Sequence, residues 1–139
     1  MSAPQLPPLP FRAPDGFPAL LGLVFETMDD DVVTGSFEVR DDLKQPAGLL
    51  HGGVLAAVAE TLASFATFFA VAGENKAAMG LSNYTSFLRP ITAGTVHSEA
   101  RVRHRGRTTW VWDVDFTGDD ERLAATTRMT VAVRSMDPA

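Results

Sequence analysis

From residue 22 the chain alternates with a period of two. Residues 22–28 and 32–40 form two strand-like segments joined through Asp29-Asp30-Asp31, which predicts a hairpin. In the second segment Val33, Phe37 and Val39 fall on one face, and Ser36, Glu38 and Arg40 on the other. Residues 41–48 are polar and contain Pro46, the signature of a loop. The pattern then changes. Residues 52–73 are apolar on every side apart from Glu60, their only charge, and they end at a glycine, as a buried helix does. Beyond Gly73 the period returns to two. Residues 76–87 read as a strand closed by Arg89-Pro90 and a turn near Gly94. Val96, Ser98, Ala100 and Val102 alternate with His97, Glu99, Arg101 and Arg103. Gly106 marks a tight turn into residues 108–117, where Trp110, Trp112, Val114 and Phe116 share a face. Gly118-Asp119-Asp120 signals another hairpin, and residues 123–134 form a last strand with Leu123, Ala125, Met129, Val131 and Val133 on its apolar side. Two strands, one long helix and about four strands with short turns predict an α+β chain, an antiparallel sheet of about five to six strands wrapped on a central helix. A single helix covers only one face of such a sheet, so open faces and edges invite a partner subunit.

At 139 residues and 14.9 kDa there is room for one domain. Residues 1–15 carry Pro4, Pro7, Pro8, Pro10 and Pro14 with Arg12 as the only base. They are read as an extended tail, packed on or trailing from a domain over residues 16–136, and not as a secretion signal. The apolar run of residues 52–73 is long enough to span a bilayer, but Glu60 near its middle and the absence of a flanking basic cluster favour the core helix of a soluble, cytoplasmic protein. Cysteine is absent, which excludes disulfides, cysteine-ligated metal and thiol catalysis. A formal net charge of −5 speaks against a nucleic-acid binder.

Candidate chemistry gathers at the start of the helix. His51-Gly52-Gly53 places glycines where helix amides lack intrahelical partners and the positive end of the dipole points outward. Such amides can hold an oxyanion, although a glycine pair before a helix also serves as a plain turn, and His51 as a cap. Glu60 is harder to explain structurally, since a carboxylate on an apolar helix needs a partner, a raised pKa or a chemical role. Ser64 lies one turn further along the same side. At about 1.5 Å per residue, Gly52 and Glu60 are separated by roughly 12 Å along one helix. Both cannot reach one small carbonyl. If the pair is catalytic, the site lies between protomers.

Gln45, His51-Gly52-Gly53, Glu60 and Ser64, on a strand–helix–strands chain of this length, resemble the hotdog-fold acyl-CoA thioesterases, most of all the PaaI-like and 4-hydroxybenzoyl-CoA thioesterase branch with glutamate on the helix. The similarity runs from about Phe17 to Arg134. It implies that the Gly52 amide polarises a thioester carbonyl with Gln45 nearby, and that His51 shapes that corner. Glu60 of the other subunit then attacks, or activates water, while Ser64 holds that water or orients Glu60. It further implies a homodimer with shared sites, commonly paired into a tetramer.

A local basic strip runs against the net acidity: Arg101, Arg103, Arg105 and Arg107, with Arg89 before Pro90. This is either a solvated strand face or a set of forked cations for coenzyme A phosphates. The resemblance places Arg89, Gly106 and Arg107 near the nucleotide. Gly53, Asn83, Tyr84 and Phe87 are candidates for the acyl or pantetheine passage. The expected activity is hydrolysis of a small acyl-CoA, aromatic acyl groups included. It needs no metal and no cofactor, coenzyme A being part of the substrate. Two alternatives keep the fold: a hydratase/dehydratase in which a histidine and an acid share a proton transfer, or an acyl-CoA-binding protein without turnover.

Overall fold

The computed structural model describes residues 3–138. Seven strands form one antiparallel sheet: β1 (Phe11–Arg12), β2 (Val24–Met28), β3 (Val32–Glu38), β4 (Lys76–Phe87), β5 (Thr95–Arg105), β6 (Thr109–Thr117) and β7 (Leu123–Ser135). Their order is β1-β2-β3-β5-β6-β7-β4, so β4 is an edge strand held by β7 alone. The helices are α1 (Gly16–Leu21) and α2 (Gly52–Val71), the latter prolonged by a 3₁₀ turn over Ala72–Glu74. A hotdog fold results, with α2 laid across the sheet and packed chiefly on β4 and β7.

The alternation seen in the sequence sets the core. Val33, Phe37, Val96, Trp112, Val114, Phe116 and Met129 point inward and are buried against Val58, Ala59, Leu62 and Ala63 of α2. Polar atoms that follow them inside are paired: Trp112 Nε1 donates to Thr67 Oγ1 at 2.9 Å, and Ser98 Oγ to the Gly35 carbonyl at 2.7 Å. Among the described residues no buried side-chain nitrogen or oxygen lacks a partner. The β2–β3 hairpin turns where predicted. Asp29 Oδ1 accepts from the amides of Asp31 and Val32, both at 2.8 Å, and these bonds hold its carboxyl below the ordinary carboxylate range.

Three expectations need correction. The sheet has seven strands, not five to six, because Phe11 and Arg12 of the proline-rich tail pair with Phe25 and Val24. Phe11 is anchored there by its ring, 6.0 Å from Phe25 and 6.5 Å from Phe65. Gly22 does not open a strand; it ends α1 in the left-handed conformation at φ 70°, and the strand starts at Val24. Leu123 is exposed, since the β6–β7 register shifts at Phe116/Thr117, and the inward row of β7 is Ala125, Thr127, Met129, Val131 and Val133. The apolar helix, half buried, is the core helix of this fold and not a membrane span.

Candidate active site

α2 begins at the wall of a cleft of about 590 Å³. Leu49, Leu50, Leu55, Phe87, Leu88 and Ile91 make it apolar, while His51, Gly52, Gly53 and Arg89 supply the polar groups. The loop leading into α2 is pinned from both sides: the His51 amide donates to the Leu43 carbonyl at 2.9 Å and the Leu50 amide to that of Ile91 at 2.8 Å. The His51 ring is the helix cap, its Nδ1 accepting from the Gly53 amide at 2.8 Å. The Gly52 amide, one residue earlier, has no hydrogen-bond partner among the described residues. Of the two glycine donors only Gly52 is thus open to a ligand. A Cβ at Gly52 would lie 2.7 Å from the Phe87 ring, which explains a glycine there without recourse to unusual φ. His51→Ala should lower unfolding free energy by about 1 kcal/mol in urea titration, and His51→Asn should recover most of it, because asparagine also caps.

One row of α2 lies along β4. Gly52 faces Phe87; the Ala56 carbonyl accepts from Asn83 Nδ2 at 2.9 Å; Glu60 faces Gly80. Same-face residues of a strand are normally separated by an even number, yet Gly80 and Asn83 are three apart. A bulge explains it: Gly80 pairs with Val131 and Ser82 with Thr130, which leaves Leu81 as the extra residue. Glu60 is exposed in the single chain and makes no hydrogen bond or ion pair among the described residues. It stands on an open stripe of α2 with Gly53, Thr61, Ser64 and Phe68, bounded on one side by β4.

The predicted residues are therefore only partly united. His51, Gly52, Gly53, Phe87 and Arg89 share the cleft. Glu60 and Ser64 lie two to three turns down the helix. Gln45 sits in the preceding turn, where its Oε1 accepts from the Ala47 amide at 2.6 Å, and does not line the cleft. Asn83 is a clamp between β4 and α2 and does not line the cleft either; its Oδ1 accepts from Thr85 Oγ1 at 2.7 Å. Gly106 and Arg107 lie beside Ala70, Val71 and Glu74 at the far end of the helix, which separates them from Arg89 within one chain.

The basic strip is mostly a solvated strand face. Arg103 pairs with Asp113 at 3.2 Å, Arg101 with Glu99, and Arg105 with Asp31 at 3.4 Å while its guanidinium lies 4.8 Å from the Trp110 ring centre. Arg89 and Arg107 have no ion-pair partner among the described residues. Sequence reading found Phe87 but missed the other apolar cleft walls, Leu49, Leu50, Leu55, Leu88 and Ile91, and Gly80. The adjacent Leu49 and Leu50 hinted at the first, and an isolated glycine inside a strand pattern at the second.

The family model of the thioesterase superfamily matches residues 47–125, a span that holds the cleft, Glu60 and most of the sheet. The chain belongs to the thioesterase superfamily. A Pseudomonas aeruginosa relative is 41% identical over 114 residues, 82% of this chain and 79% of its own length. The crystal structure of a mutant of that protein, described as a thioesterase, superposes with a TM-score of 0.79 over 82% of each chain. A thioesterase from Haemophilus influenzae is 31% identical with a TM-score of 0.79, covering 85% of this chain and 82% of that one. The PaaI protein of the Escherichia coli phenylacetic acid degradation operon is 25% identical with a TM-score of 0.74, over 84% and 82%. The expected hotdog fold and membership of the thioesterase superfamily are thereby established.

Proposed function

We propose that this thioesterase hydrolyses acyl-CoA thioesters, in sites shared between two protomers of a homodimer. The observation that carries the reading is the pairing of one open amide, Gly52, with one unpartnered carboxylate, Glu60, set roughly 12 Å apart on a single helix. The amide receives the thioester carbonyl oxygen and stabilises the charge that develops on it. Glu60 of the partner subunit supplies the second group. As a nucleophile it forms a mixed anhydride while the C–S bond breaks and coenzyme A leaves as thiolate; water then hydrolyses the anhydride. As a general base it takes a proton from water, which attacks the carbonyl directly. Either route consumes one water and yields the free acid and the thiol. Ser64, one turn beyond Glu60, holds the water or orients the carboxylate.

The dimer is supported by the edge of the sheet. Met79, Leu81, Phe87 and Leu88 are each more than half exposed on or just after β4, and an apolar edge strand of this length favours pairing with a second copy. Two such dimers pair into a tetramer in this reading, and the protein works in the cytoplasm on soluble substrate. Arg89 at the rim of one cleft and Gly106-Arg107 at the far end of a helix meet the nucleotide phosphates only if subunits bring them together. Neither a metal nor a separate cofactor enters the scheme, because a thioester is already activated. A hydratase is disfavoured by His51, whose Nδ1 is engaged as the helix cap by the Gly53 amide.

The test is a panel of acyl-CoAs, short and branched aliphatic as well as aromatic, followed by a thiol-reactive dye. Stoichiometric release of coenzyme A with multiple turnovers is expected for at least one member. Binding without release across the panel would return the protein to the non-catalytic alternative.

A further inference from the structure

We propose that Gly80 is a positioning residue for catalysis, a side-chain-free shelf on β4 that sets where the Glu60 carboxylate stands. This rests on the role given to Glu60 above. Gly80 does not need glycine for backbone reasons, since its φ lies outside the left-handed region. It needs the space. A Cβ there would fall 2.7 Å from Glu60 Oε1, 3.4 Å from Glu60 Cδ and 2.8 Å from Met129 Cε. Real Cβ atoms essentially never make the first or last of these contacts, and because both atoms are the far ends of flexible side chains, an added methyl is accommodated by moving the carboxylate and the Met129 methyl. The carboxylate and the Met129 methyl thus both enter the volume a side chain would take.

No hydrogen bond or ion pair among the described residues fixes Glu60. The absence of a side chain at Gly80 lets the carboxylate occupy the space over β4 and leaves both oxygens' lone pairs available for the reaction. The bulge at Leu81 belongs to the same device. It allows Gly80 and Asn83 to face α2 together, so that Asn83 ties the strand to the Ala56 carbonyl one helical turn before Glu60. The height of the shelf is set by that tie.

Gly80→Ala should then lower kcat about 100-fold, the scale of a displacement near 1 Å at a reacting group, with KM changed by less than about threefold. In a strand, alanine is otherwise favoured over glycine, so a loss of activity is not the trivial result of a poorer β-residue. The decisive comparison is the same substitution in the Glu60→Asp background. Aspartate withdraws the carboxylate by one methylene and clears the added methyl, so there the Gly80→Ala penalty should fall below about tenfold. A penalty of equal size in both backgrounds, an unchanged kcat, or a loss expressed only in KM overturns the proposal. If Gly80→Ala is insoluble alone, recovery of soluble protein in the Glu60→Asp background supports it, and insolubility in both overturns it. Glu60→Ala separates the two levels of the argument: unchanged turnover in that variant removes the role of Glu60 itself, whereas lost turnover together with a background-independent Gly80 effect removes only the shelf.

Discussion

Glu60→Ala is expected to lower kcat for thioester hydrolysis by about 10²–10⁴-fold, the span covered by loss of a positioned acid–base group, and by more if Glu60 is the nucleophile. Folding should be little affected. The side chain is exposed in the single chain and has no hydrogen-bond or ion-pair partner among the described residues, so truncation strands no buried donor. Alanine is also the best helix former, and α2 draws its stability from the opposite, buried face of Val58, Ala59, Leu62 and Ala63. Thermal melting should therefore give a Tm at or slightly above that of the parent, while dye-detected release of coenzyme A collapses. Unchanged release would remove Glu60 from the mechanism.

Mixing two dead variants should restore activity. Gly52→Val drives a branched side chain into the Phe87 ring and disturbs the open amide, at a cost of about 10²–10³-fold for loss of an oxyanion donor. Glu60→Ala removes the carboxylate. If each site takes Gly52 from one protomer and Glu60 from the other, random reassociation gives half heterodimers with one intact site of two, so about a quarter of the parent activity returns. The measurement is turnover after the two variants are unfolded together and refolded, against each refolded alone. A mixture no better than its components would place both groups in one chain. That outcome conflicts with their separation along α2, and would require another donor for the carbonyl.

The parts of the fold legible in the sequence are those fixed by local periodicity. Trp110, Trp112, Val114 and Phe116 announced an inward face, and the apolar run from Gly52, with Glu60 its only charge, announced a helix buried in the sheet. What escaped depends on partners distant in the chain. Phe11 looks like part of a proline-rich tail until Phe25 and Phe65 receive its ring. Residues 16–21 form α1 despite Pro18, which falls in the first turn, where a proline amide is not missed. Thr127 breaks the apolar row of β7 but is satisfied by Thr85 across the β4–β7 ladder at 2.8 Å. The arginine strip looked like a cation cluster because Asp113 and Asp31 reach it only through strand register and hairpin geometry. For the site, the glycine step and Glu60 stood out locally. Their relation to β4 did not, because it runs through the Leu81 bulge, and a bulge is a property of the pair of strands.

The position of β4 has a consequence for the order in which the chain can fold. Its neighbours in sequence, α2 and β5, are not its neighbours in the sheet; it pairs with β7 alone, three elements later. Until β7 is available, twelve residues rich in exposed apolar side chains have no ladder to join. Closing that pairing comes after much of the chain is fixed, and such late, non-local contacts slow folding and prolong the exposure of sticky segments. The strand that shapes the reactive end of the molecule is thus also the one whose arrival is most delayed, and a substitution in β7 that weakens the ladder would reduce the yield of active protein through its folding kinetics without touching the chemistry.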